Sequence, residues 1–283
     1  ISSSDLEMQI YAIPANKQNP KKLWQNHCQG LNLNRISGIV KNMHTFFKDK
    51  VIIITGASSG IGLAAARLFA SYGARLSLAA RSIERLQSLA KEMTDDNSRI
   101  LCIKTDVSIE EDCKRLIDET LSAFGRIDIL INNAGIITSN KTFDLQTEDE
   151  IIRTMQINTL APMFVTRVIL PDMLKRNRGH ICTIASAGGM LSNPKMSVYA
   201  ASKWGVIGWS DSVRIELQEM KSEVRVTTIA PYYINTGMFD GVKSHIIPIL
   251  KPEYVCKRII RAIEKNKIFR GIPFGFHFIR FWQ

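Results

Sequence analysis

The stretch VIIITGASSGIG, residues 51–62, decides how the rest of the chain is read. Val51–Thr55 is an apolar, β-branched run of strand length. A helical pattern follows through Ile61–Gly73, with apolar residues at three- and four-residue spacing. A glycine-rich loop between strand and helix suits a pyrophosphate. Gly56 permits a tight turn, Gly60 lets backbone approach the phosphates, and Gly62 allows close helix–strand packing, while the helix start offers free N–H donors to the anion. Gly56, Ser58, Ser59, Gly60, Ile61 and Gly62 are therefore candidate dinucleotide-binding residues.

Outward from this loop the same alternation continues. Arg75–Ala80, Arg99–Lys104, Asp128–Asn132, His180–Ala185 and Val224–Ala230 read as strands, and Ile83–Met93, Glu110–Phe124, Glu148–Lys175 and Val198–Met220 as helical stretches. Near-continuous apolar strands need cover on both faces, which crossover helices of a parallel sheet supply. The expected fold class is α/β, a doubly wound parallel sheet (Rossmann fold). It forms a single domain at 48–267, with a basic N-terminal extension at 1–47 and an aromatic-basic C-terminal segment at 268–283.

With 283 residues, 45% hydrophobic and 22% charged, the composition excludes a disordered chain, a collagen-like repeat and a disulfide scaffold. The five cysteines (Cys28, Cys102, Cys113, Cys182, Cys256) are scattered, without a CxxC pair, so a reducing compartment and no metal site are expected. No apolar run reaches the length of a membrane-spanning helix. Because the chain opens on Ile1, removal of an upstream segment or anchor stays open.

The formal charge is +11, and its placement matters more than its size. Residues 1–50 hold seven basic and three acidic residues and residues 251–283 hold eight and two, which leaves the middle nearly balanced. A nucleic-acid binder would carry a basic patch on its folded body, so no nucleic-acid partner is expected. Basic ends suit either solvated tails or an anionic membrane surface. Ile36, Ile39, Val40, Met43 and Phe46 form one apolar helical stripe, read as packed on the body. Phe269–Trp282 carries six aromatics with Arg270 and Arg280, read as a surface contact with membrane or partner.

At the end of the second strand the sequence is Ala79-Ala80-Arg81-Ser82. An acid there would accept the ribose hydroxyls of NAD(H) and repel a 2′-phosphate. Arg81 instead offers a charge-assisted contact to that phosphate, so NADP(H) is the preferred cofactor, with NAD(H) open.

Tyr199-Ala200-Ala201-Ser202-Lys203 puts a phenol and an ammonium on one helical face. A nearby cation lowers a tyrosine pKa from about 10, making Tyr199 a candidate general acid/base. Ser186 ends a strand at the sheet edge where open α/β proteins bind ligands. Ser192, Ser197 and Ser202 are also near Tyr199 in sequence but lack that strand-end position.

The ordered set TGASSGIG at 55–62, NNAG at 132–135, Ser186 and Tyr199-x-x-x-Lys203 resembles the short-chain dehydrogenase/reductase family in its single-domain form, over about residues 48–265. The resemblance implies an oxidoreductase acting on an alcohol or carbonyl. It makes Tyr199 the proton donor or acceptor, Ser186 the hydrogen-bonding partner of the substrate oxygen, and Lys203 the ligand of the nicotinamide ribose. Asn158 matches the asparagine that positions a relay water, Asp106-Val107 the pair at the adenine, and Asn133, Ala134 and Gly135 the segment lining the cofactor. Thr236 matches the residue binding the carboxamide. Taken alone, Asn158 also suits a backbone bridge at a helix kink, and Asp106 a cap for the next helix.

One departure is that Pro231-Tyr232 stands where the family commonly has Pro-Gly. This change and the basic-aromatic tail are similar to the branch holding retinol dehydrogenases and lipid-droplet 17β-hydroxysteroid dehydrogenases. That branch implies a lipophilic substrate, with Tyr232, Tyr233, Met238, Phe239, Ile246, Ile247, Pro248, Ile249 and Leu250 as pocket lid. It also implies a homodimer or homotetramer and the cytoplasmic side of an endoplasmic reticulum or lipid droplet membrane, with peripheral contact. The competing readings are a soluble 3-oxoacyl-carrier-protein reductase and a catalytically idle dinucleotide-binding protein at a lipid surface.

Overall fold

A computed structural model describes residues 45–238 and 248–273, the Asn97 side chain excepted. The 36–43 stripe, Cys28, the lid residues Phe239, Ile246 and Ile247, and the tail from Phe274 lie outside the described residues.

Seven parallel strands form one sheet in the order β3-β2-β1-β4-β5-β6-β7. They are β1 Val51–Thr55, β2 Arg75–Ala80, β3 Ile100–Lys104, β4 Ile129–Asn132, β5 Gly179–Ile184, β6 Val224–Pro231 and β7 Phe269–Ile272. The helices between them are α1 Gly60–Ser71, α2 Ile83–Met93, α3 Glu110–Phe124, α4 Glu148–Met155, α5 Ala161–Lys175, α6 Ser197–Glu219 and α7 Pro252–Glu264. β1 lies inside the sheet between β2 and β4, and its residues are buried on both faces, as its unbroken apolar run requires. The order reverses between β1 and β4, which opens a crevice at the carboxyl ends of these strands.

Two elements complete the body beyond those read from sequence. β7 pairs in parallel with β6, from Thr228↔Phe269 to Pro231↔Ile272, so the sheet runs into the segment set apart above as 268–283. α7 buries Val255, Cys256, Ile259, Ile260 and Ile263 at helical spacing and packs against α1. At the other end Phe47 is fully buried and meets Phe69 edge-on at 5.1 Å, tying the chain just before β1 to α1.

Hydroxyl and amide groups lock the crevice floor. Thr55 Oγ1 donates to the Ile131 carbonyl and accepts from the N–H groups of Asn133 (3.0 Å) and Ala134 (3.1 Å). Asn133 Nδ2 donates back to the Thr55 carbonyl at 2.9 Å. This pairing fixes the glycine loop against the chain leaving β4.

Candidate active site

The loop after β1 and the chain after β4 are in close contact. Gly56 has φ +65°, and a Cβ on it would lie 2.9 Å from Ala134 Cα; a Cβ on Gly62 would lie 2.3 Å from the Gly56 carbonyl oxygen. Both positions exclude any side chain. Ser59 is the N-cap of α1 but makes no side-chain cap bond, and no acid stands in the first turn. The first-turn N–H groups therefore meet the crevice without a competing carboxylate, a fit for a phosphate.

A cleft of about 480 Å3 runs from this loop to Tyr199. All the candidate catalytic and cofactor-binding residues named above line it except Gly62, which lies behind the loop against Gly56, and Asn158; of the expected lid, Tyr232 and Met238 line it and Tyr233, Pro248, Ile249 and Leu250 do not. At one end Ala80 closes β2, Arg81 is exposed, and Ser82 caps α2 by accepting from Arg85 N–H. Arg85 lines the same end, and neither guanidinium has an ion-pair partner among the described residues. Across from them Asp106 Oδ1 accepts from Ser108 N–H (3.0 Å) and its hydroxyl (2.6 Å), so it forms the turn into α3 while lining the cleft.

At the other end Ser186 follows β5 and starts a short 3-10 turn, its Oγ accepting from Gly188 N–H at 3.1 Å. Tyr199, in the first turn of α6, hydrogen-bonds Ser186 through its side chain. One turn on, Lys203 Nζ donates to the Ile184 carbonyl at 3.1 Å and lies 5.9 Å from the Tyr199 ring centroid. All three residues are buried, and Thr236 stands opposite, against Gly60.

The expectation that Lys203 lowers the Tyr199 pKa is not met in the chain alone. Burial pushes the phenol up to about 12, with Ser186 pulling the other way through its hydrogen bond and Tyr233 adding to the rise. The ammonium is itself held down to about 8 by burial and is turned toward the Ile184 carbonyl. Desolvation of the phenolate outweighs what the hydrogen bond from Ser186 returns.

Asn158 lies just outside the cleft, in a π-helical turn, Gln156–Leu160, that interrupts the long helical stretch between α4 and α5. Its Oδ1 accepts from Ile136 N–H at 2.8 Å, and its Nδ2 donates to the Ile136 carbonyl and to Ser202 Oγ. Ser202 Oγ in turn donates to the Tyr199 carbonyl at 2.7 Å. Asn158 thus bridges backbone at a helix irregularity and also braces the turn that carries Tyr199 and Lys203. Ser202 is fully buried on this brace and away from the cleft. Sequence reading missed its role, and it missed Arg85, although the Arg81–Arg85 spacing around a helix start was a readable signal.

A short chain dehydrogenase family model matches residues 50–246. The mouse protein "Epidermal retinol dehydrogenase 2" is 33% identical over 239 residues, 82% of this chain and 76% of that protein. "11-beta-hydroxysteroid dehydrogenase-like 4A" of Arabidopsis thaliana is 36% identical over 232 residues, 79% of this chain and 76% of that protein. Among solved structures, a short chain dehydrogenase/reductase from Burkholderia phymatum in complex with NAD superposes with TM-score 0.76 at 25% identity, covering 83% of this chain and 92% of that one. A 3-ketoacyl-(acyl-carrier-protein) reductase from Brucella melitensis complexed with NADH gives TM-score 0.72 at 26% identity, over 80% and 97%.

The chain belongs to the short-chain dehydrogenase/reductase family, with retinol and hydroxysteroid dehydrogenase-like relatives. It is an oxidoreductase of that family acting on alcohol or carbonyl groups with a nicotinamide dinucleotide.

Proposed function

We propose that this enzyme moves a hydride between NADP(H) and a secondary alcohol or ketone, or a retinoid-type alcohol or aldehyde, on a lipophilic substrate. The observation that carries the reading is the Ser186–Tyr199 hydroxyl pair beside buried Lys203, at one end of a cleft whose other end is the glycine loop. The bound dinucleotide supplies the hydride acceptor or donor. Ser186 donates a hydrogen bond to the substrate oxygen, and Tyr199 gives that oxygen its proton in reduction and takes it back in oxidation. A phenol pushed up to about 12 keeps its proton at neutral pH, which suits carbonyl reduction. Lys203 and Thr236 hold the nicotinamide side, Gly56–Gly62 the pyrophosphate, and Asp106 and Val107 the adenine. Asn133, Ala134 and Gly135 line the middle, and Asn158 supports the proton path.

Arg81 and Arg85 together favour a 2′-phosphate at the adenosine end. Tyr232, Ile234 and Met238 give the substrate side an apolar wall, which favours a lipophilic substrate. The reading includes assembly as a homodimer or homotetramer and peripheral contact with endoplasmic reticulum or lipid droplet membrane on the cytoplasmic side. Among the described residues no helix is long and apolar enough to cross a membrane.

The test is a spectrophotometric screen of NADPH and NADH oxidation against retinal, steroid ketones, long-chain ketones and acetoacetyl thioesters. Turnover of a lipophilic carbonyl with NADPH preferred is expected. Turnover of acetoacetyl thioesters alone would assign the chain to carrier-protein reduction instead.

A further inference from the structure

The edge of the sheet opposite the cleft concentrates charge that the sequence disperses. There the chain enters β1 and every helix hands over to the next strand. Six cations on this edge, Lys48, Lys50, Arg178, Lys221, Lys265 and Lys267, have no ion-pair partner among the described residues. Three of the acids among them are engaged, whereas Glu219 and Glu264, the last residues of α6 and α7, have no ion-pair partner among the described residues, so the unpaired cations outnumber the unpaired acids six to two. Asp49 pairs with Arg99 at 2.7 Å, Asp128 with Arg126 at 3.0 Å, and Glu223 with Arg225. Asp95 and Asp96 stand at the far end, before β3.

The unpaired cations belong to the neighbouring strands β1, β5, β6 and β7, with paired Arg126 before β4 between them. Four inter-strand steps make that row about 19 Å long. They are close enough to act on one another, since Arg178 and Arg126, after burial itself, hold the Lys50 ammonium below its ordinary pKa against the pull of Asp128.

Three large apolar side chains stand exposed in the same row. Phe46 is 38% exposed with Lys50 Nζ 5.2 Å from its ring centroid, Met220 is 63% exposed beside Lys221, and Ile268 is 48% exposed beside Lys267. Cations near helix C-termini are expected from the helix dipole. That dipole accounts for neither the apolar side chains nor the lysines beyond the last turns.

We infer that this edge, from Phe46 to Ile268, is a docking surface for an anionic lipid bilayer, with the cations at headgroup phosphates and Phe46, Met220 and Ile268 between the headgroups. It lies about 16 Å, the length of five-residue β1, from the cleft edge, so binding here leaves the cleft open. The chain leaves β7 at the cleft edge, so the aromatic-basic tail departs from the other end of the strands. The inference names a surface for the peripheral membrane contact proposed above and does not depend on the proposed hydride transfer.

The test is co-sedimentation of the full chain with phosphatidylcholine vesicles, with and without phosphatidylserine, across a salt series. Binding that requires phosphatidylserine and weakens with salt is expected. The triple variant Arg178→Gln/Lys221→Gln/Lys267→Gln should lose about a hundredfold in partitioning, roughly fivefold per cation. The charge-matched variant Lys114→Gln/Lys195→Gln/Lys251→Gln, altering exposed cations away from this edge, should stay within about twofold of wild type. Equal losses in the two variants would reduce the effect to net charge and overturn the proposal, as would unchanged binding by the edge variant. A wild type that ignores vesicles but dissociates from dimer to monomer in the edge variant would assign the surface to a second copy of this chain, and also overturn it.

Discussion

Gly62→Ala tests whether the cofactor loop works through its backbone. The added Cβ would lie 2.3 Å from the Gly56 carbonyl oxygen and 2.6 Å from Asn133 Nδ2. A carbon and an oxygen in contact need about 1 Å more, and neither neighbour can yield freely. The carbonyl belongs to the loop itself, and the Asn133 amide holds the Thr55 and Gly56 carbonyls. The start of α1 must therefore retreat by about 1 Å. Overpacking of this kind costs about 1–3 kcal/mol, so Tm should fall by roughly 2–12 °C for a body of this size. The same retreat draws first-turn N–H groups away from the pyrophosphate. Losing one charge-assisted hydrogen bond, about 1.5–3 kcal/mol, weakens dinucleotide affinity roughly 10- to 150-fold. The control is Gly125→Ala, where φ is +74° but nothing lies within 4 Å of the added Cβ. That variant pays only local strain, about 1–2 kcal/mol, and should bind the dinucleotide normally. Fluorescence titration of NADPH on both variants measures the difference. Wild-type affinity in Gly62→Ala would refute the loop geometry and its role together.

Two further outcomes follow from the site and the core. Arg81→Ala and Arg85→Ala should each weaken NADPH by about tenfold or more and leave NADH nearly unchanged, as separate titrations would reveal; equal weakening of both cofactors would remove the arginines from the 2′-phosphate. His180, buried against Thr227 Oγ1 at 2.8 Å, is pushed down to about 4 by burial, with Arg225 adding to the shift. Its folded pKa lies below the unfolded value near 6.5, so the unfolded state binds more protons between them, and stability falls as pH drops through that window. The loss between pH 7 and pH 5 is about 2 kcal/mol, read as a shift in urea midpoint, and His180→Gln should abolish most of it.

The sheet and the cleft were legible because their signals are local. β1 is an uninterrupted apolar run, and the glycines, Tyr199 and Lys203 sit at spacings that backbone geometry alone interprets. β7 was not legible: Phe-Arg-Gly-Ile alternates nothing, and it becomes a strand only because β6 offers an unpaired edge. α7 carried a readable stripe at Val255, Ile259 and Ile263, hidden behind the apolar segment read as a lid. The backbone bridge made by Asn158 at a helix irregularity was one of its two sequence readings, but its brace on the Tyr199–Lys203 turn was not, because that depends on Ser202 arriving there from another helix. The pKa of Tyr199 was misjudged for a related reason, since sequence places a lysine near the phenol but says nothing of how deeply both are buried. Counting charge by segment located the basic ends but not their meeting place, because Arg178 and Lys221 from the middle of the chain join Lys48, Lys50, Lys265 and Lys267 on one edge only once the helices return to it.

The central claim, that Tyr199 carries the proton of hydride transfer, is tested most directly by single-turnover kinetics of Tyr199→Phe with bound NADPH and a lipophilic ketone turned over by the wild type. The ring stays in place beside Gly188 and only the hydroxyl is lost. Reduction at least about a hundredfold slower, with NADPH affinity unchanged, is the predicted result. Wild-type-like reduction in this variant would contradict the account.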